Sequence, residues 1–148
     1  MKLGAELKNC SAQGILSSDS ANNTEAEAMR DMYDVMDRWG AWAAADDSGV
    51  DWRSVAAGFK GLLPHGKKSR LQCDDDEGIM IDCCVSRLRK YKPDEYELFI
   101  AHFVIGLSLR TIAKKMKCSD GTIRHKLQSG LGFVSGVLAT IKEYQNEN

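Results

Sequence analysis

The sequence predicts an all-α fold, a helical body followed by a C-terminal helix-turn-helix. Apolar residues recur three and four positions apart through most of the chain after residue 24, as on one face of a helix. Serine, threonine, aspartate and proline stand where those stretches begin, and these residue types satisfy or tolerate the unpaired N–H groups of a first helical turn. No stretch alternates apolar and polar residues in the way a half-buried strand requires. The 148 residues, 43% of them hydrophobic, suffice for one compact core with a smaller appendage.

Residues 1–23 read as a flexible N-terminal arm, with turn chemistry at Ser11, Ser17, Ser18, Ser20, Asn22 and Asn23. Residues 24–92 read as the helical body. Thr24 is expected to cap its first helix, with Glu27 reaching back in a capping box. Met29, Met32, Tyr33, Met36, Trp39 and Ala43 follow at helical spacing, and the run from Asp46 to Gly49 ends the helix. Asp51 is expected to cap a short helix through Val55 and Phe59. Residues 62–70 form a basic loop punctuated by Pro64 and Gly66. Asp74, Asp75, Asp76 and Glu77 suit the N-terminus of a helix spanning Ile79 to Leu88. Arg87, Arg89 and Lys90 suit its C-terminus, each by the helix dipole.

Residues 93–148 form the third region. Pro93 fits the first turn of a helix, because its missing N–H is one that would lack a partner anyway. That helix carries Tyr96, Phe99, Ile100 and Phe103 and stops near Gly106. Ser108 is expected to cap a helix over Leu109–Met116. Lys117, Cys118 and Ser119 make a tight turn, and Ser119 caps the last helix. The last helix carries Ile123, Leu127, Leu131, Val134, Leu138 and Ile141, and can bend at Gly130, Gly132 and Gly136.

Composition excludes several function classes. No apolar run approaches the roughly 18 residues a membrane span needs, and the first 30 residues lack a signal-peptide core. Five cysteines, an odd number, fit a reduced cytoplasmic protein better than a disulfide framework. Cys73, Cys83, Cys84 and Cys118 lack the spacing of a zinc knuckle and read as small buried hydrophobes, so no metal or other cofactor is expected. No Ser-His-Asp, Cys-His or glycine-rich phosphate pattern emerges, so the chain reads as a binding protein, not an enzyme. A small metal-dependent enzyme using Asp74–Asp76 and the cysteines is the second alternative.

Charge is unevenly placed. Residues 1–50 carry a balance of −5 and residues 101–148 a balance of +4, inside a chain of net charge −1. Six basic residues lie between Arg110 and Lys126, where the only acid is Asp120. Such a cluster is a local field suited to an anionic partner, although on its own it is more often a solvated helix face. The same residues resemble a helix-turn-helix. Ile112, Ala113 and Met116 pack the first helix, and Ile123 and Leu127 anchor the second. That leaves Asp120, Gly121, Thr122, Arg124, His125 and Gln128 free to read base edges in a major groove. Arg110, Thr111, Lys114, Lys115, Ser119 and Lys126 fall where phosphate contacts would lie. Lys117 stands where such turns often have glycine, and Lys126 where a buried aliphatic is usual. With the preceding helix from Pro93, the region resembles sigma-factor region 4.

Trp39 and Trp42, with Asp37-Arg38 ahead of them, and the stretch from Trp52 to Pro64 form a distinctive pattern. Together with Cys73-Asp74-Asp75-Asp76, the Cys83-Cys84 pair and the helix-turn-helix, they resemble the phage late-gene antitermination protein Q family, in the class without a zinc motif. The resemblance spans roughly residues 29–145. It implies a factor that binds double-stranded DNA beside a phage late promoter and loads onto paused, sigma-containing host RNA polymerase. Such a factor then suppresses pausing and termination near the RNA exit channel, in the cytoplasm of the bacterial host. Leu62, Leu63, His65, Lys67, Lys68 and Arg70, on a basic and partly apolar loop, are the expected contacts with polymerase or nascent RNA. A conventional helix-turn-helix repressor or activator would share the DNA-reading face but would not need that loop. Trp39, Trp42 and Trp52 are expected to be core residues of the body.

Overall fold

The structure, a computed structural model, describes residues 18–45, 47–64 and 70–147. Most of the expected N-terminal arm, residues 1–17, lies outside the described residues. Every regular element among the described residues is helical: α1 (Ser18–Ala43), α2 (Arg53–Ala57), α3 (Asp75–Tyr91), α4 (Pro93–Phe99), a π-helical continuation of α4 (Ile100–Ile105), α5 (Leu109–Met116) and α6 (Asp120–Glu147). The chain divides into two units, Met1–Asp31 and Met32–Asn148. The described part of the first is helical, and the second holds the core described below.

A segment that is apolar on every side has to lie inside. Leu98, Phe99, Ile100, Ala101, Phe103 and Val104 are all buried, and they place the end of α4 and its π-helical continuation at the centre of the second unit. Around it pack α2, α3, α5 and α6. Each contributes one stripe. Ile81, Cys84, Val85 and Leu88 line one face of α3, and Ile123, Leu127, Leu131, Val134 and Leu138 line one face of α6. Full burial of a large aliphatic or aromatic residue stabilises the fold by about 1.5–3 kcal/mol.

The C-terminal half of α1 reaches this core through glycine. A Cβ on Gly40 would lie 1.9 Å from the Phe103 carbonyl oxygen, so the two backbones meet where only hydrogen fits. Gly78 does the same for Trp42, whose ring would be 2.5 Å from an added Cβ. The Trp42 indole N–H then donates to Asp75 at the start of α3 (2.9 Å). Met36, Trp39 and Ala43 are fully buried on the same stretch.

Local start and stop signals fall largely where expected. Asp74 caps α3, its carboxylate accepting from the Glu77 N–H at 2.8 Å. Pro93 lies in the first turn of α4, and Gly106 ends the π-helical segment in the left-handed region (φ 92°). Three expectations need correction. The first helix is already formed at Ser18, so Thr24 lies inside it and does not cap it. Asp51 does not cap the short helix: Trp52 is its N-cap residue, and no hydrogen bond from the Trp52 ring closes that end. Trp52 is also not a core residue. It is half-buried, with the Arg53 guanidinium 5.6 Å from its ring centroid. The buried residue of this short helix is Ala56.

His102 ties α1 to the end of the π-helical segment. The Leu107 carbonyl can only accept, so His102 Nδ1 carries the proton that bonds it at 2.8 Å. The other nitrogen, Nε2, then accepts from the Tyr33 hydroxyl at 2.5 Å. Burial pushes the His102 pKa down, and Arg70 adds to this, against opposing contributions from Leu107 and Asp37.

Candidate nucleic-acid interface

The pair α5–α6 is built by local rules. Ser108 Oγ accepts from the Thr111 N–H at 3.2 Å and lies 2.8 Å from the Thr111 hydroxyl, closing the N-terminus of α5. Ser119 repeats the arrangement with Thr122, at 3.1 and 2.8 Å, and closes the N-terminus of α6. Between them the backbone turns through Lys117, whose φ of 56° and ψ of 46° are left-handed. There the Lys117 N–H donates to the Lys114 carbonyl at 3.3 Å and the Cys118 N–H to the Ala113 carbonyl at 3.0 Å, satisfying the last carbonyls of α5.

Packing then orients the pair. Ile112 and Ala113 on α5 and Ile123 and Leu127 on α6 are buried, while Met116 is half-buried. The remaining face of α6 turns outward: Asp120, Gly121, Thr122, Arg124, His125 and Gln128 are all exposed. Arg110, Lys114, Lys115 and Ser119 are exposed as well, and Thr111 and Lys126 are half-buried. The aliphatic stem of Lys126 therefore takes up part of the space where an apolar residue is usual, while its neighbour Leu127 is the anchor. Arg110 Nε lies 3.8 Å from Asp120 Oδ2. That exposed pair adds little stability, but it sets the first turn of α5 beside the first turn of α6. Of the residues expected to touch phosphates, Arg110 thus lies beside Asp120, one of those expected to read bases.

Only part of the expected polymerase-contacting loop lies within the described residues. Leu62 and Leu63 are exposed, at 44% and 40%. His65, Lys67 and Lys68 lie outside the described residues. Arg70 is a correction. It is not a free loop cation: its guanidinium donates from Nη1 to the Phe103 carbonyl (2.6 Å) and from Nη2 to the Val104 carbonyl (3.2 Å). Its Nη1 is also 3.6 Å from Asp37. Phe103 and Val104 end a helical segment, where carbonyls lack an intrahelical partner, so the Arg70 guanidinium caps that C-terminus. Nothing in the local sequence around Arg70 signals a partner 33 residues away.

The cysteines divide. Cys84 is buried, donates weakly to the Met80 carbonyl at 3.4 Å, and has its thiol pKa pushed up to about 11, first by burial and then by Cys83. Cys83 is exposed, against expectation, because the adjacent position on α3 faces outward. Cys73 and Cys118 are half-buried.

Comparison with known proteins bears on this geometry. A family model described as phage antitermination protein Q matches residues 29–145. A prophage antitermination protein Q homologue from Escherichia coli is 43% identical over 113 residues, covering 76% of this chain and 89% of that one. Antitermination protein Q of Escherichia phage 933W is 43% identical over 110 residues, covering 74% and 76%. A solved structure of transcription antitermination factor Q21, in complex with its binding-element DNA, superposes with a TM-score of 0.64 at 18% identity, over 82% of this chain and 95% of that one. At that identity the superposition speaks for the fold, and the sequence matches speak for the family: the chain belongs to the phage antitermination protein Q family.

Proposed function

We propose that this chain is a phage transcription antitermination factor that binds duplex DNA through α5 and α6 and acts on host RNA polymerase by binding, without chemistry of its own. The observation that carries the reading is the outward face of α6. Two serine caps and a left-handed turn fix the pair, Ile123 and Leu127 sink one side, and polar and basic residues occupy the other. Small and polar residues at the N-terminal end of a recognition helix are what entry into a major groove requires. Arg124 has the fork geometry to take guanine, and Gln128 to take adenine. Arg110, Thr111, Lys114, Lys115, Ser119 and Lys126 are assigned to the phosphates. Family membership and the DNA-bound relative support the DNA-binding reading as a whole.

The DNA element lies beside a late promoter in this reading, and the factor loads there onto paused polymerase that still holds sigma. It then suppresses pausing and termination near the RNA exit channel, in the bacterial cytoplasm. Leu62, Leu63, His65, Lys67 and Lys68 are the loop residues assigned to polymerase or nascent RNA, and Arg70 is withdrawn from that set. In vitro transcription through a terminator tests the proposal, paired with a mobility shift on the promoter DNA. A conventional repressor or activator would shift the DNA and leave read-through unchanged.

A further inference from the structure

Lys117 is the only non-glycine residue with positive φ among the described residues. At the other three described left-handed positions, 49, 61 and 106, the sequence uses glycine. An L residue in this conformation crowds its own backbone, and glycine at a helix C-terminus does not. The hydrogen bonds that close the turn, from the Lys117 and Cys118 N–H groups, are made by backbone atoms alone. Glycine would therefore form the same turn with less strain, and the lysine side chain, which is exposed, is not needed to build it.

From this we infer that Lys117 is a DNA-backbone contact, kept in a strained conformation for its charge. The inference rests on the DNA-binding reading above and adds a residue to it. Lys117 stands three positions ahead of Asp120, where the recognition helix begins, in the cluster formed by Arg110, Lys114, Lys115, Arg124 and Lys126. An ammonium on a flexible four-carbon stem can reach a phosphate oxygen beside the groove that α6 enters, with no demand on base identity. The competing explanation is stabilisation of the α5 dipole by a cation at its C-terminus. Lys114 and Lys115 already supply that charge in the last turn.

Stability and salt dependence separate the two. In Lys117→Gly the melting temperature should rise by about 3 °C, as strain is released in a protein of this size. Affinity for a mixed-sequence duplex several helical turns long should fall roughly threefold near physiological salt. The slope of log K against log salt should become shallower by about 0.9 per bound protein molecule, and equally for promoter DNA. Lys117→Arg should keep the affinity and the slope. Lys117→Asn, neutral but tolerant of the left-handed conformation, should lose both without gaining much stability. An unchanged slope in Lys117→Gly would overturn the inference, as would a lowered melting temperature, which would favour the dipole explanation. Arg124→Ala, measured on promoter DNA, serves as the control. If it alters binding while Lys117→Gly does not, the inference fails and the DNA-binding reading stands. If the parent protein binds no duplex at all, both fail.

Discussion

Arg70→Met removes a guanidinium and keeps much of its apolar stem. The side chain is 25% exposed and donates to two backbone carbonyls, at 2.6 and 3.2 Å. A hydrogen bond from a charged donor contributes about 1.5–3 kcal/mol when well shielded. Partial exposure and the longer second bond reduce that to about 1–1.5 kcal/mol each. The Asp37 contact at 3.6 Å adds less than about 1 kcal/mol, because the Asp37 side chain is 52% exposed. The substitution should therefore cost about 3 kcal/mol and lower the melting temperature by about 6–12 °C. Arg70→Lys should recover only part, since a single ammonium cannot match the planar fork. Asp37→Asn should cost less than about 1 kcal/mol. Urea or thermal denaturation followed by circular dichroism reads all three. The reasoning is refuted if Arg70→Met melts with the parent, or if Asp37→Asn costs as much as Arg70→Met. The former result would return Arg70 to the free loop cations.

Four further outcomes are expected. Trp39→Ala should cost roughly 3–5 kcal/mol, because the ring is fully buried. Trp52→Ala should cost only about 1 kcal/mol, from a half-exposed ring over Arg53, and equal losses in denaturant melts would place Trp52 in the core after all. His102 has a lowered pKa in the folded protein against an ordinary value of 6.5, so the unfolded state binds more protons as pH falls past that value. Stability should thus decline as pH drops from about 7.5 to 5.5, and His102→Gln should flatten that part of the profile; a parent profile already flat there would count against a buried neutral imidazole. Replacing Lys67 and Lys68 together by Gln, with Arg70 left in place to hold the fold, should spare promoter DNA binding and reduce terminator read-through. Full read-through by that double variant would remove the loop from the mechanism.

The helix-turn-helix was legible because its determinants are local. Ser108 and Ser119 act on N–H groups three residues away, and the tight turn between them is read from its length even though Lys117 departs from the usual glycine. Pro93 and Asp74 could be placed on their helices for the same reason. What could not be read depends on pairs distant in sequence. Gly40 gives no sign that the Phe103 backbone lies against it, and Gly78 none that Trp42 does. Arg70 sits in a basic run that reads as a solvated loop until the helix end it caps is in place. The π-helical turn over Ile100–Ile105 carries the same apolar residues as an ordinary helix and has no local mark. Thr24 misled in another way. Its capping-box spacing with Glu27 is real, but the backbone is already helical from Ser18, so the box has no free N-terminus to close.

The central claim is that this protein binds promoter DNA through α6 and makes polymerase pass terminators. It is tested most directly by single-round transcription with purified host polymerase and sigma, on a template carrying a phage late promoter from the protein's own source ahead of a hairpin terminator. The parent protein should raise read-through on that template and not on one lacking the promoter-proximal element. Arg124→Ala should lose about 1–3 kcal/mol of binding to that element, abolish most of the gain, and leave binding to random DNA far less affected. Tight, sequence-specific binding by the parent with no change in read-through would contradict the account and leave a conventional repressor or activator in its place.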